Sequence, residues 1–114
     1  MMKYLLLAYR DDEQWKSMST KERVAFDAAC QASEKDLIRG LHLIDVYEVQ
    51  HNGALTVRIV DGGRFISERP VDKSQDGLIQ LLIIQARDLN AAIQIASQIP
   101  QARGGPIEVR PIVE

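Results

Sequence analysis

A chain of 114 residues is long enough for one hydrophobic core and too short for two, since at that size roughly two-thirds of the extended surface can be buried. Its 46% hydrophobic and 26% charged residues exclude a disordered or fibrous chain. The net charge of −2 comes from 14 basic and 16 acidic residues with no run of five or six like charges, so no concentrated basic face is expected and nucleic acid is not an expected partner.

Residues 2–9 open the chain as a strand with apolar residues on both faces, the pattern of a central strand covered on two sides. The run is too short to span a bilayer, lacks a small-residue cleavage site and is followed at once by charge. Neither a membrane anchor nor a signal peptide is therefore expected, and the cytoplasm is the expected compartment. After the polar stretch 10–16, Ser19-Thr20-Lys21-Glu22 has the S-x-x-E form of a capping box, which starts a helix. That helix runs to about Arg39, with Phe26, Ala29, Cys30, Ser33 and Leu37 on one stripe and Gly40 placed to end it. Cys30 is the single cysteine; it fits a reducing compartment and reads as a small buried apolar residue.

Two strands are expected next, at 41–49 and 54–61, joined by His51-Asn52-Gly53 as a turn. In the second, Leu55, Val57 and Ile59 alternate with Thr56, Arg58 and Val60. Asp61-Gly62-Gly63 then returns the chain into a short strand at 64–67. Residues 68–77 are polar, contain Pro70 and make the one long connection after the first helix, which marks them as the expected functional loop. Residues 78–86 form a buried central strand, Asp88 caps a helix with Leu89, Ala92, Ile93 and Ala96 at helical spacing, and Pro100 stops it. A flexible Arg103-Gly104-Gly105 leads into a last strand at 106–113.

Helices after the first and fourth main strands predict an α+β domain: a ferredoxin-like antiparallel sheet with two helices on one face. The strands are apolar on both faces and no third helix is available, so a second copy is expected to cover the other face as a homodimer.

The end of the chain, Ile99-Pro100-Gln101-Ala102-Arg103-Gly104-Gly105-Pro106-Ile107-Glu108-Val109-Arg110-Pro111, resembles the C-terminal signature of the YCII-related (DGPF-motif) family. Met2-Lys3-Tyr4-Leu5-Leu6-Leu7, Gln14-Trp15, Ser19 and Glu22 are similar to the family's start, and Thr56-Val57-Arg58 with Asp61-Gly62 to its middle hairpin. The resemblance covers nearly the whole chain as a single domain, 1–114, and implies a dimeric α+β barrel in which two such sheets pack face to face. Where the family's Asp-Gly-Pro-Phe tetrad should fall, this chain reads Glu68-Arg69-Pro70-Val71. Only the proline is kept, and Arg69 removes the glycine's access to positive φ.

Two residues are candidates for acid/base chemistry: Glu68, in the motif loop, and His42, whose ordinary pKa suits proton transfer. The alternatives are a solvated or Arg-paired carboxylate for Glu68 and a hydrogen-bonded core or interface histidine for His42. Arg58 points away from its strand's apolar face and needs a carboxylate, from Glu68, Asp45 or a small anionic ligand, unless it forms an ion pair within or across the dimer. Tyr9 and Trp15 could wall such a pocket, or Trp15 could be plain loop packing. His51, in a turn, reads as solvent-facing. No His or Cys spacing makes a metal site, and Gly62-Gly63 and Gly104-Gly105 read as turns, not phosphate loops, so neither metal nor cofactor is expected. The expected function is binding of a small anionic or aromatic molecule in a cavity at the dimer sheet face, with acid/base chemistry at His42 and Glu68. The alternative is a non-catalytic dimeric regulatory or structural module.

Overall fold

The two most apolar segments become neighbouring central strands. In the computed structural model, which describes residues 1–114, β1 (Met2–Tyr9) lies antiparallel between β5 (Leu78–Ala86) and β6 (Ile107–Pro111), and β2 (Leu43–Glu48) pairs with the far side of β5. The resulting order β2-β5-β1-β6, with α2 (Thr20–Arg39) and α3 (Leu89–Gln98), is the ferredoxin-like arrangement expected of the element order.

Period-two alternation sorts the strand side chains. Tyr4, Leu6 and Ala8 of β1 and Leu82, Ile84 and Ala86 of β5 are buried together with Ala92 and Ala96 of α3 and with Ile99. Leu5, Leu7, Leu81 and Ile83 point the other way and remain partly exposed, because nothing in the chain covers that face. No helix is long and apolar enough to cross a membrane.

Both main helices carry the caps their sequences encode. Ser19 and Glu22 satisfy each other's amides in a reciprocal capping box, and Asp88 accepts from the Ala91 amide. At the end of α2 the left-handed residue is Leu41 (φ 62), not Gly40, which has φ −79. The amides of Leu41 and His42 donate to the carbonyls of Ile38 and Leu37, a Schellman closure with a leucine where glycine is usual.

Four boundaries differ from expectation. The polar stretch after β1 contains a helix, α1 (Asp12–Ser17), capped by the Asp11 carboxylate; its local capping signal was overshadowed by Ser19. The expected strands at 41–49 and 54–61 do not pair. β3 (Thr56–Val60) joins only β4 (Gly63–Ser67), as a separate two-stranded arm around an Asp61-Gly62 turn with both residues at positive φ. The seven residues between β2 and β3 are too many for a tight hairpin. Residues 103–105 are not a free linker. Arg103 and Gly104 belong to a short helix, α4 (Gln101–Gly104), tied to α1 by bonds from the Asp11 amide to the Gly104 carbonyl and from Gln14 Nε2 to the Arg103 carbonyl. Finally, Gly105 is extended and Gly104 has negative φ, so this pair is needed for close approach and not for a turn. A Cβ on Gly105 would collide with the Tyr9 carbonyl, one on Gly77 with the Arg10 carbonyl, and one on Gly104 would press on the Phe26 ring.

The arm makes the molecule flat, 49 × 41 × 19 Å, with a radius of gyration of 16.0 Å against about 13 Å for a compact domain of this length. Val57, Ile59 and Ile66 line one face of the arm and are more than half exposed.

Candidate functional site

The half of the sheet under α2 is not filled. No residue of α2 is buried, and a cavity of about 470 Å³ lies against that helix, beside the C-terminal end of β1. Phe26, Cys30 and Glu34 line it from α2, Trp15 from α1, Ala8 and Gln80 from the sheet, Gln101 from α4 and His51 from the loop after β2.

Trp15 forms the aromatic wall. Its ring meets Phe26 edge-on at 6.2 Å and 73°, and the guanidiniums of Arg10 and Arg23 lie 4.2 and 5.0 Å from its centroid. Arg23 also donates twice to the Trp15 carbonyl, at 3.1 and 2.8 Å. Two cations and a ring thus hold one indole in place.

Opposite that wall runs a chain of amides. Gln101 Nε2 donates to Gln80 Oε1 at 2.9 Å, and Gln80 Nε2 donates to the Glu34 carboxylate at 3.0 Å. Gln80 and Gln101 are almost completely buried, so each polar atom left over is costly. Gln101 Oε1 is left over.

His51 closes the mouth. Its Nε2 lies 3.1 Å from Asp12 Oδ1. A carboxylate can only accept, so in the neutral ring Nε2 carries the hydrogen and Nδ1 presents a lone pair. That Nδ1 is buried and has no partner; the same is true of Arg10 Nε. The three buried side-chain atoms without a partner, on Arg10, His51 and Gln101, therefore all belong to residues lining one cavity. They are one donor and two acceptors, on residues that share the cavity with the aromatic wall. Cys30, also in the lining, is a weak nucleophile at neutral pH: burial, then the carboxylates of Asp27 and Glu34, push its thiol up to about 11.

The candidates from sequence fall into separate places. Trp15 is in the cavity wall. Tyr9 lies on the rim, where burial first and the Glu108 carboxylate second raise the pKa of its phenol. His42 is at the opposite end of the sheet, its Nδ1 3.2 Å from the Gln85 carbonyl and its ring packed over Gly40. Glu68 is exposed in a groove shared with Gln50 and Leu78. Gln85 and Leu78 stand seven residues apart on β5, about 23 Å at the usual rise, so His42 and Glu68 are not brought together. Arg58 lies on the arm, in a different concavity, and pairs with neither Glu68 nor Asp45.

His51, Asp12, Gln80 and Gln101 were missed as site residues. Gln80 carried a signal, being a polar residue inside the otherwise apolar run that becomes β5. His51 carried none locally, because its partner is 39 positions away.

A family model described as the YCII-related domain matches residues 2–114. No curated protein matches the chain significantly.

Proposed function

The chain belongs to the YCII-related family, and from that premise we propose that it binds a small hydroxylated aromatic acid in the cavity under α2, with His51 accepting the ligand's hydroxyl proton. The observation that carries this reading is that the three residues with a buried, unpartnered side-chain atom all line one cavity. Arg10 Nε–H suits the ligand's carboxylate, Gln101 Oε1 and His51 Nδ1 suit its hydroxyl, and Trp15 and Phe26 suit its ring. When the proton moves to Nδ1, the imidazolium formed lies against the Asp12 carboxylate, which stabilises it.

Trp15 is the only tryptophan and reports on its own pocket. Titration with 4-hydroxybenzoate should change Trp15 emission saturably, and Phe26→Ala or Gln101→Leu should weaken the response roughly tenfold, the loss of about one good contact. Unchanged emission in the wild-type protein sinks the proposal. The absorption spectrum of bound ligand then separates the two readings of the site. A phenolate band that disappears in His51→Gln supports acid/base chemistry, whereas a phenol band supports the non-catalytic binding module. The exposed, unpaired Glu68 in the altered motif favours the latter.

The proposal includes a homodimer. Leu5, Leu7, Leu81 and Ile83 on the open face and Val57, Ile59 and Ile66 on the arm make two apolar surfaces, more than a lone small domain ordinarily leaves in water. Sedimentation equilibrium at micromolar concentration should give a dimer, and Leu81→Asp a monomer. A monomeric wild-type protein would overturn this part alone.

A further inference from the structure

Arg58, Arg69 and Lys73 come from three different pieces of the fold: β3, the loop after β4, and the 3-10 turn Lys73–Gln75. They nevertheless line a single concavity of about 420 Å³ at the base of the arm, and Asp76 is the one carboxylate among its lining residues. None of the three cations is in an ion pair. Gathering three cations around a single carboxylate is unfavourable, and solvated cations on a free loop would separate.

This loop is not free to separate them. The buried Thr56 hydroxyl donates to the Arg69 carbonyl at 2.6 Å, tying the loop to β3. The Asp72 carboxylate accepts from the Ser74 amide at 2.9 Å and so fixes the turn that carries Lys73. Engaged with its own backbone, Asp72 forms no ion pair with a neighbouring cation. Ser67 stands opposite Thr56 in the arm, lines the same concavity, and its hydroxyl bonds to nothing in the chain.

We propose that Arg58, Arg69, Lys73 and Ser67 form a second binding site, which takes the phosphate group of a small phosphorylated molecule or inorganic phosphate itself. Three cations against one carboxylate leave two positive charges in excess, and a phosphate monoester carries close to two negative charges at neutral pH. Guanidinium forks bind phosphate oxygens in pairs, and a serine hydroxyl adds a neutral donor. The site shares no lining residue with the cavity under α2 and stands or falls independently of it.

Inorganic phosphate is the probe. Isothermal titration at fixed ionic strength should show saturable binding to the wild-type protein, tighter at pH 8 than at pH 6 as the dianion comes to dominate. Arg58→Gln/Arg69→Gln, which replaces two exposed side chains, should keep its circular dichroism and its Trp15 response to 4-hydroxybenzoate while binding phosphate at least roughly tenfold more weakly. Glycerol 3-phosphate in place of inorganic phosphate reports whether an ester is accepted, and saturable binding of either supports the site. No saturation with either, or equal affinity in the double variant, overturns it. So does a double variant that alters association between copies but not phosphate binding, since the cations would then serve a partner's carboxylates.

Discussion

The two long helices cover the same sheet face in opposite ways. α3 has 10 residues and buries Ala92 and Ala96 against the strands, so burial holds it. α2 has 20 residues and none fully buried; Leu37 alone of its side chains packs on the buried core, and its ends are closed locally, by a capping box and a Schellman closure. A helix that satisfies its own ends can stand off the sheet, and the space it leaves is the cavity. The small side chains of α3 close one half of the fold, and the self-capped ends of α2 allow the other half to stay open.

This contrast can be broken by mutation. Ile84→Ala, in the closed half, should cost about 2–5 kcal/mol in urea unfolding, and Phe26→Ala, in the open half, roughly less than half of that. Equal losses would mean that α2 is seated as firmly as α3. Cys30 offers a sharper probe with a smaller effect. With its thiol at about 11 instead of 9.0, it holds about a hundredfold less thiolate near pH 8 than an ordinary cysteine. Iodoacetamide should therefore react slowly but measurably with the native protein, faster as pH rises, and 4-hydroxybenzoate should protect. Reaction only on unfolding would place Cys30 in a closed core.

Smaller effects are expected at the helix ends. Ser19→Ala should cost about 1 kcal/mol, and Leu41→Gly should gain a similar amount, about 1 kcal/mol, by relieving a left-handed leucine. A loss on Leu41→Gly would show that the leucine side chain has a packing role. The smallest effect is the acid limb of stability. Ser19, through its backbone amide and then its hydroxyl, holds the Glu22 carboxyl below its usual 4.5. A depressed folded pKa stabilises above the unfolded value, so this contribution is complete at neutral pH and is lost as pH falls through the acidic range. Glu22→Gln should flatten thermal melts between pH 5 and 3, at roughly those bounds, and an unchanged slope would mean that the capping box does not titrate with folding.

The sheet was legible in the sequence because its signals are periodic and local. Residues 2–9 and 78–86 were readable to the residue as β1 and β5, and so were both N-caps, Ser19 and Asp88. The arm was half legible. The Asp61-Gly62 turn announces its hairpin, but nothing local says that β2 ends without pairing to β3. The site was largely illegible, because its contacts span long separations: Gln14 to Arg103, Gln80 to Glu34, His51 to Asp12. A motif loop attracts notice by its composition. A cavity made between elements far apart in the chain leaves no such mark.

The glycines beside the end of β1 bear on how such a site can diversify. Gly77 and Gly105 leave no room for a β-carbon against the Arg10 and Tyr9 carbonyls, and Gly104 meets the ring of Phe26. Mutational drift at these three positions would move the strand end on which the cavity mouth is mounted. Drift at Cys30, which makes no hydrogen bond to another side chain, changes mainly what the cavity holds. Close-approach glycines thus give Gly104 and Gly105 a steric reason to stay glycine that is separate from whatever the cavity holds.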